Sequence, residues 1–166
     1  MSIHAAPDAG HITSVLPVAV LIVDDQLAVR EGLARLLACS PLLFRAIATA
    51  ACKTEALRLA ATLRPEVVVL DVDLAGEDGL ELIEHFGQAA GVLVLTCHGD
   101  DVTRARARRL GALAFIEKHQ PASELLAALE AVATLQTGGE KTPVGLGQST
   151  LPLQVASSAA RTGGHP

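Results

Sequence analysis

The chain has 166 residues, half of them apolar, with a formal net charge of −5 and 2% aromatic residues, none of them Trp or Tyr. That leaves room for one ordinary domain with its own core, plus tails. The acidic balance and scarce rings argue against a nucleic-acid surface, which needs clustered cations and stacking platforms; no apolar run approaches the roughly 18 to 20 residues that cross a bilayer.

Residues 1–17 mix Ala, Gly, Pro, Ser and His without period and are expected to form a disordered leader. They lack the basic start and apolar run of a signal peptide, so a cytoplasmic location is expected. Val18 to Val23 is a continuous apolar strand that ends in the pair Asp24 and Asp25. Gln26 to Ala38 places Leu27, Arg30, Leu33, Ala34 and Leu37 at helical spacing, and Ser40-Pro41 stops it. Phe44 to Ala50 reads as a second strand and Lys53 to Leu63 as a second helix, with Ala56, Leu57, Ala60 and Leu63 on one face. Val67 to Leu70 then delivers Asp71 to the end of a third strand, followed by a loop through Gly79 and a short helix from Leu80 to Phe86. Val92 to Thr96 is a fourth strand and Asp101 to Leu110 an arginine-rich helix, whose charges read as a solvated face. Leu113 to Ile116 makes a fifth strand ending at Glu117-Lys118, and Pro121 opens a last helix over Ala122 to Leu135 with Leu125, Leu126, Leu129 and Val132 as its stripe. Residues 137–166, rich in Gly, Ser, Thr and Pro, read as a flexible tail with no output domain. Cys39, Cys52 and Cys97 have no C-x-x-C spacing and read as small buried hydrophobes in a reducing compartment.

Strand and helix alternate five times, and almost every strand is apolar throughout. A parallel sheet covered by helices on both faces demands that pattern, so the expected class is α/β, a doubly wound five-stranded parallel sheet. In such a sheet the carboxyl ends of the strands meet on one edge, where ligands bind. The residues at those ends are Asp24, Asp25, Asp71, Thr96 and Lys118. Crowded carboxylates raise one another's pKa, and a hard cation such as Mg²⁺ is their natural occupant. A lysine and a hydroxyl facing that ion suit the oxygens of a phosphoryl group, so the implied chemistry is phosphoryl transfer. No GxGxxG follows the first strand and no GxxxxGK[ST] occurs, so dinucleotide and P-loop readings lose their support.

These residues carry a resemblance. From about Val18 to Leu135 the chain resembles a response-regulator receiver domain of two-component signalling, through V-D-D after the first strand, L-D-V-D-L-A-G-E-D-G-L-E-L at the third, L-T at the fourth and A-F-I-E-K at the fifth. The resemblance implies a flavodoxin-like strand order 2-1-3-4-5. It implies that Asp71 is the phosphoacceptor and that Asp24, Asp25, Asp71 and the main-chain carbonyl of Asp73 hold Mg²⁺. Lys118 would pair with a phosphoryl oxygen, Thr96 would swing toward the new phosphate, and Phe115 would turn inward as Thr96 moves. Ala75 stands where the family usually has proline, which is expected to loosen the loop, and Asp73 and His98 occupy positions that bear on the lifetime of the acyl phosphate.

The implied function is a switch rather than an enzyme, with at most slow self-dephosphorylation. Its implied partner is a sensor histidine kinase or a phosphotransfer protein, met around Leu27, Arg30 and Glu31. A homodimer through the last helix is a further expectation, and no direct contact with nucleic acid or membrane is expected. The alternative is a haloacid-dehalogenase-type phosphatase using Asp71 and Asp73, since Asp-Val-Asp resembles that family's nucleophile and acid/base pair. That reading gives Asp24 and Asp25 no role.

Overall fold

The computed structural model describes residues 17–138, apart from Gln88 and His98. The expected leader and the tail beyond Gly138 lie outside the described residues, Pro17 excepted. In chain order the elements are β1 (Val18–Val23), α1 (Leu27–Ala38), β2 (Phe44–Ala50), α2 (Lys53–Leu63), β3 (Val67–Leu70), β4 (Asp73–Leu74), β5 (Glu77–Asp78), α3 (Glu81–Phe86), β6 (Gly91–Thr96), α4 (Asp101–Leu110), β7 (Ala114–Glu117) and α5 (Ala122–Gln136). Five strands form one sheet in the order β2-β1-β3-β6-β7, all pairs parallel. Counting only those five, the order is 2-1-3-4-5, as the resemblance implied.

Burial follows from position in the sheet. The interior strands β1, β3 and β6 are buried at every residue, while the edge strands β2 and β7 are mostly half-buried. Alternate side chains serve opposite faces. Leu21, Val23, Val68, Leu70, Val92 and Val94 pack with Ala56 of α2, Leu82, Ile83 and Phe86 of α3 and Ala107 of α4. Val20, Ile22, Val67, Val69, Leu93 and Leu95 pack with Leu37 of α1 and Leu125, Leu129 and Val132 of α5. Two helices therefore cover one face and three the other.

The structure corrects three sequence-based expectations. All three cysteines are free and exposed, because Cys39 caps the end of α1, Cys52 the start of α2, and Cys97 leaves the end of β6. Each lies where the chain turns out of the core. On α2, Leu57 is exposed and Leu59 packs inward in its place, and on α1 Leu27 is 60% exposed in the first turn. The loop after Asp71 is a hairpin, β4 pairing with β5 through Leu74↔Glu77. Its two central residues, Ala75 and Gly76, both have positive φ (57° and 87°), the pattern of a type I′ turn. Proline, fixed near −65°, cannot take that place.

Candidate functional site

Parallel register brings the acids together. Val23 pairs with Leu70, so the next residues, Asp24 and Asp71, lie side by side where the two central strands end. The Asp71 N–H donates to Val23 O (2.9 Å) and the Asp24 N–H to Ala50 O (3.1 Å), which holds both chain segments at the sheet edge. Thr96 ends β6 opposite Glu117 of β7, and the Lys118 N–H donates to Thr96 O at 2.8 Å. Asp24, Asp71 and Thr96 are buried, at 2%, 6% and 3% exposure.

β7 lies two strands from β3 and three from β1, yet the lysine stem spans that gap. Lys118 Nζ donates to Asp24 Oδ2 and to Asp71 Oδ2, each at 2.6 Å. One ammonium thus bridges two carboxylates. Asp24 Oδ1 accepts the Gln26 N–H at 2.9 Å, which fixes the second oxygen of that carboxylate. Burial pushes the Asp71 pKa above the usual carboxylate range; Lys118 opposes the rise and the Asp24 charge adds to it. Burial works against the charge on Lys118, but its bonds to Asp24 and Asp71 outweigh that and hold its pKa above the ordinary value.

Asp24, Asp25 and Asp71 each offer a carboxylate oxygen, all within 4.8 Å of one another. Three converging hard oxygen donors fit Mg²⁺ in chemistry and charge. The Asp73 N–H points at Asp71 Oδ1, at 3.4 Å, and the Asp73 carboxylate accepts the Gly76 N–H at 2.8 Å. That exposed carboxylate serves the hairpin turn, which leaves the phosphatase reading without an acid/base poised at Asp71.

Two residues not expected at the acidic cluster from sequence alone shape the site. Arg30, placed in the helix stripe by spacing, turns its Nη1 back to the carbonyls of Asp24 (2.7 Å) and Asp25 (3.0 Å), tying the acidic loop to α1. Gly79 donates its N–H to Val72 O at 2.7 Å, and a Cβ there would lie 2.1 Å from Asp71 O. The Asp78-Gly79 pair was legible as a turn signal, but not the close approach to the Asp71 carbonyl.

Phe115 is half-buried on β7, paired with Val94 and packed on the face that α2, α3 and α4 cover. The α4 arginines are not simply solvated: Arg104 pairs with Glu117 (3.0 Å) and Arg106 with Asp78. His85 and His119 are exposed, and His98 lies outside the described residues. No described helix is long and apolar enough to cross a membrane.

Residues 20–130 match the response regulator receiver domain family. The chain is 32% identical over 117 residues to the transcriptional regulatory protein UhpA of Salmonella typhimurium, covering 70% of this chain and 59% of that protein. Against the response regulator MprA of a Mycobacterium species, identity is 37% over 120 residues, covering 70% and 51%. A protein-glutamate methylesterase/protein-glutamine glutaminase of Koribacter versatilis is 33% identical over 131 residues, covering 74% of this chain and 36% of that enzyme. The chain thus spans from about a third to somewhat over half of the length of these relatives. Among solved structures, a LuxR-family two-component response regulator from Aurantimonas superposes with a TM-score of 0.63 at 32% identity, covering 72% of this chain and 86% of that one. The signal receiver domain of the response regulator NarL from Mycobacterium tuberculosis gives the same TM-score at 26% identity, covering 71% and 97%. With its acids, hydroxyl and lysine gathered at the carboxyl edge of a 2-1-3-4-5 sheet, the chain belongs to the response regulator receiver family of two-component signalling.

Proposed function

We propose that Asp71 is the phosphoacceptor of this receiver and that Asp24, Asp25, Thr96 and Lys118 serve its reaction. The observation that supports this best is Lys118 Nζ bridging Asp24 Oδ2 and Asp71 Oδ2 at 2.6 Å each. An Asp71 carboxylate oxygen attacks the phosphorus of a phosphohistidine on a partner kinase or phosphotransfer protein. The P–N bond breaks, its electron pair stays on the imidazole nitrogen, which takes a proton, and an aspartyl phosphate forms. Lys118 then passes from the carboxylates to a phosphoryl oxygen, and the Thr96 hydroxyl turns toward another. Held by Asp24, Asp25, Asp71 and the main-chain carbonyl of Asp73, Mg²⁺ supplies positive charge to the phosphoryl oxygens when bound. In this reading the receiver domain is a phosphoacceptor with at most slow self-dephosphorylation.

The sheet register supports the switch reading. Val94 and Thr96 of β6 pair with Phe115 and Glu117 of β7, so a turn of Thr96 is felt by Phe115 two residues along the same face. The surface of α4, β7 and α5 is the output face in this reading. It also offers a route to a homodimer through α5, testable by light scattering before and after phosphorylation.

The deciding experiment is phosphate incorporation from phosphoramidate, with and without Mg²⁺, read by intact mass. Wild type is expected to gain one phosphoryl group in a Mg²⁺-dependent manner and Asp71→Asn none. A full gain in Asp71→Asn would place the acceptor elsewhere.

A further inference from the structure

Arg104, in the first turn of α4, makes two contacts with one strand. Its guanidinium carbon lies 4.4 Å from the centroid of the Phe115 ring, and its Nη2 donates to Glu117 Oε1 at 3.0 Å. Phe115 and Glu117 are two residues apart on β7, so they share a face and a single flat cation can span both. The pair is shielded, with the Arg104 side chain 30% and the Glu117 side chain 24% exposed. Glu117 is itself fixed from a second side. A Cβ on Gly99 would lie 2.4 Å from Glu117 Oε1, so this carboxylate lies directly on the loop that joins Thr96 to α4. Its main-chain N–H donates to Gln120 Oε1 at 2.7 Å, and His119 Nδ1 stands 3.3 Å from its other oxygen. Farther along α4, Arg106 reaches the opposite way, to Asp78 of the hairpin after Asp71.

We propose that Arg104 is a restraining residue of the switch: placed over the Phe115 ring and anchored by Glu117, it holds the ring in its present half-buried position and α4 against β7 until Asp71 is phosphorylated. The proposal rests on the reading of Asp71 as phosphoacceptor and of Thr96 and Phe115 as the switch pair. Its physical basis is differential contact. The ring in its present position keeps the cation over its face, and a ring turned farther inward gives that contact up, so the arginine favours one of two packings. Loss of such a contact shifts the ratio of the inward-turned to the present packing by about 3- to 10-fold. Arg104 does not touch the reacting atoms; it sets how far the resting population lies from the active one. The bond to Glu117 keeps the guanidinium over the ring, which a freely solvated arginine would not maintain.

The composition supplies a clean test. The chain has three phenylalanines, Phe44, Phe86 and Phe115, so uniform labelling with 4-fluorophenylalanine gives three ¹⁹F resonances, assigned by Phe115→Leu. Spectra are recorded for wild type, Arg104→Ala, Arg104→Lys and, as a charge-matched control on the exposed side of α4, Arg108→Ala, each with Mg²⁺ alone and with Mg²⁺ plus beryllium fluoride as phosphoryl mimic. Unchanged Phe44 and Phe86 resonances certify the fold. In Arg104→Ala with Mg²⁺ alone, the Phe115 resonance is expected part of the way to its position in beryllofluoride-loaded wild type, with Arg104→Lys between and Arg108→Ala unmoved. Phosphate uptake from phosphoramidate is expected to rise about 3- to 10-fold in Arg104→Ala, by the same population shift. If beryllofluoride moves the wild-type Phe115 resonance and Arg104→Ala leaves it at the unloaded position, the restraint is overturned and the switch stands. If the wild-type resonance stays still although the protein gains a phosphoryl group by mass, the Phe115 switch itself is wrong and the restraint falls with it.

Discussion

Lys118 Nζ and Asp71 Oδ2 meet at 2.6 Å, with side chains only 12% and 7% exposed, and the same ammonium holds Asp24 at the same distance. A buried charge pair is most informative when one partner is removed, because the remaining charges are then stranded. Lys118→Ala leaves Asp24 and Asp71 facing each other without a cation. The expected loss in urea-unfolding free energy is about 3 kcal/mol at pH 8 without divalent ions. Millimolar Mg²⁺ is expected to recover much of it, since the same carboxylates are the proposed ligands of the ion. An identical loss with and without Mg²⁺ would show that the lysine and the metal do not share these ligands.

Burial raises the Asp71 pKa, and the sign of the pH dependence follows. An acid whose folded pKa lies above its unfolded value binds its proton more tightly when folded. Its ionisation therefore costs stability as pH rises from the unfolded pKa through the folded one. Asp71→Asn removes that cost, so without Mg²⁺ the variant is expected to be more stable than wild type by about 1 kcal/mol at pH 7, with the gap closing toward pH 4. The protonated acid is no nucleophile, so in the proposed reaction phosphate uptake by wild type is expected to decline on the acid side as Asp71 takes up its proton. Paired urea titrations across pH 4 to 8 check the first statement, and uptake rates over the same window check the second. A wild type more stable than Asp71→Asn at pH 7 would contradict the raised pKa.

Much of this was legible because it depends on local pattern. The apolar runs of β1, β3 and β6 end in Asp24, Asp71 and Thr96, and parallel pairing forces those ends together. The sequence misplaced what depends on contacts through space. Leu57 and Leu59 are both leucines on one helix, and only the angle at which α2 meets the sheet selects Leu59 for the core. Arg30 reads as a helix residue facing a partner and Arg104 as a solvated helix charge until the loop carbonyls of Asp24 and Asp25 and the ring of Phe115 arrive beside them. The hairpin was missed because alanine is a poor signal for the positive φ that Ala75 adopts.

That backbone angle is open to test. An L-residue with a Cβ in the left-handed region costs roughly 1 kcal/mol relative to glycine, and Ala75 has φ 57° with exposed surroundings. Ala75→Gly is therefore expected to be neutral to slightly stabilising, up to about 1 kcal/mol, the gain being offset by the greater freedom of glycine in the unfolded chain. Ala75→Pro forces φ to the opposite sign and is expected to undo the Leu74↔Glu77 pairing, exposing Leu74, which is otherwise buried. Hydrogen exchange at the Gly76 N–H, which donates to the Asp73 carboxylate, reports the loss locally. Protection at Gly76 that survives in Ala75→Pro would mean the turn tolerates a second geometry.

Gly79 offers the sharpest separation of site from scaffold. Its φ is not in the left-handed region, so alanine is acceptable to the backbone there; the difficulty is space. An added Cβ would stand 2.1 Å from Asp71 O, 3.0 Å from Val72 O and 3.2 Å from Asp71 C. Those are main-chain atoms that cannot rotate away as a side chain can, so the Asp71 peptide must move. Overpacking of this kind costs about 1–3 kcal/mol, and Gly79→Ala is expected to fall in the upper part of that range. The displacement is applied at the proposed acceptor, so Mg²⁺ affinity and phosphate uptake are expected to fall by at least 10-fold even at temperatures where the variant is fully folded by circular dichroism. For comparison, Gly91→Ala crowds Val132, Gln136 and Leu113 side chains at the far end of the sheet. That variant is expected to lose similar stability and keep near-normal uptake. Equal loss of uptake in the two variants would trace the effect to general destabilisation, whereas loss confined to Gly79→Ala ties the position of the Asp71 backbone to its reactivity.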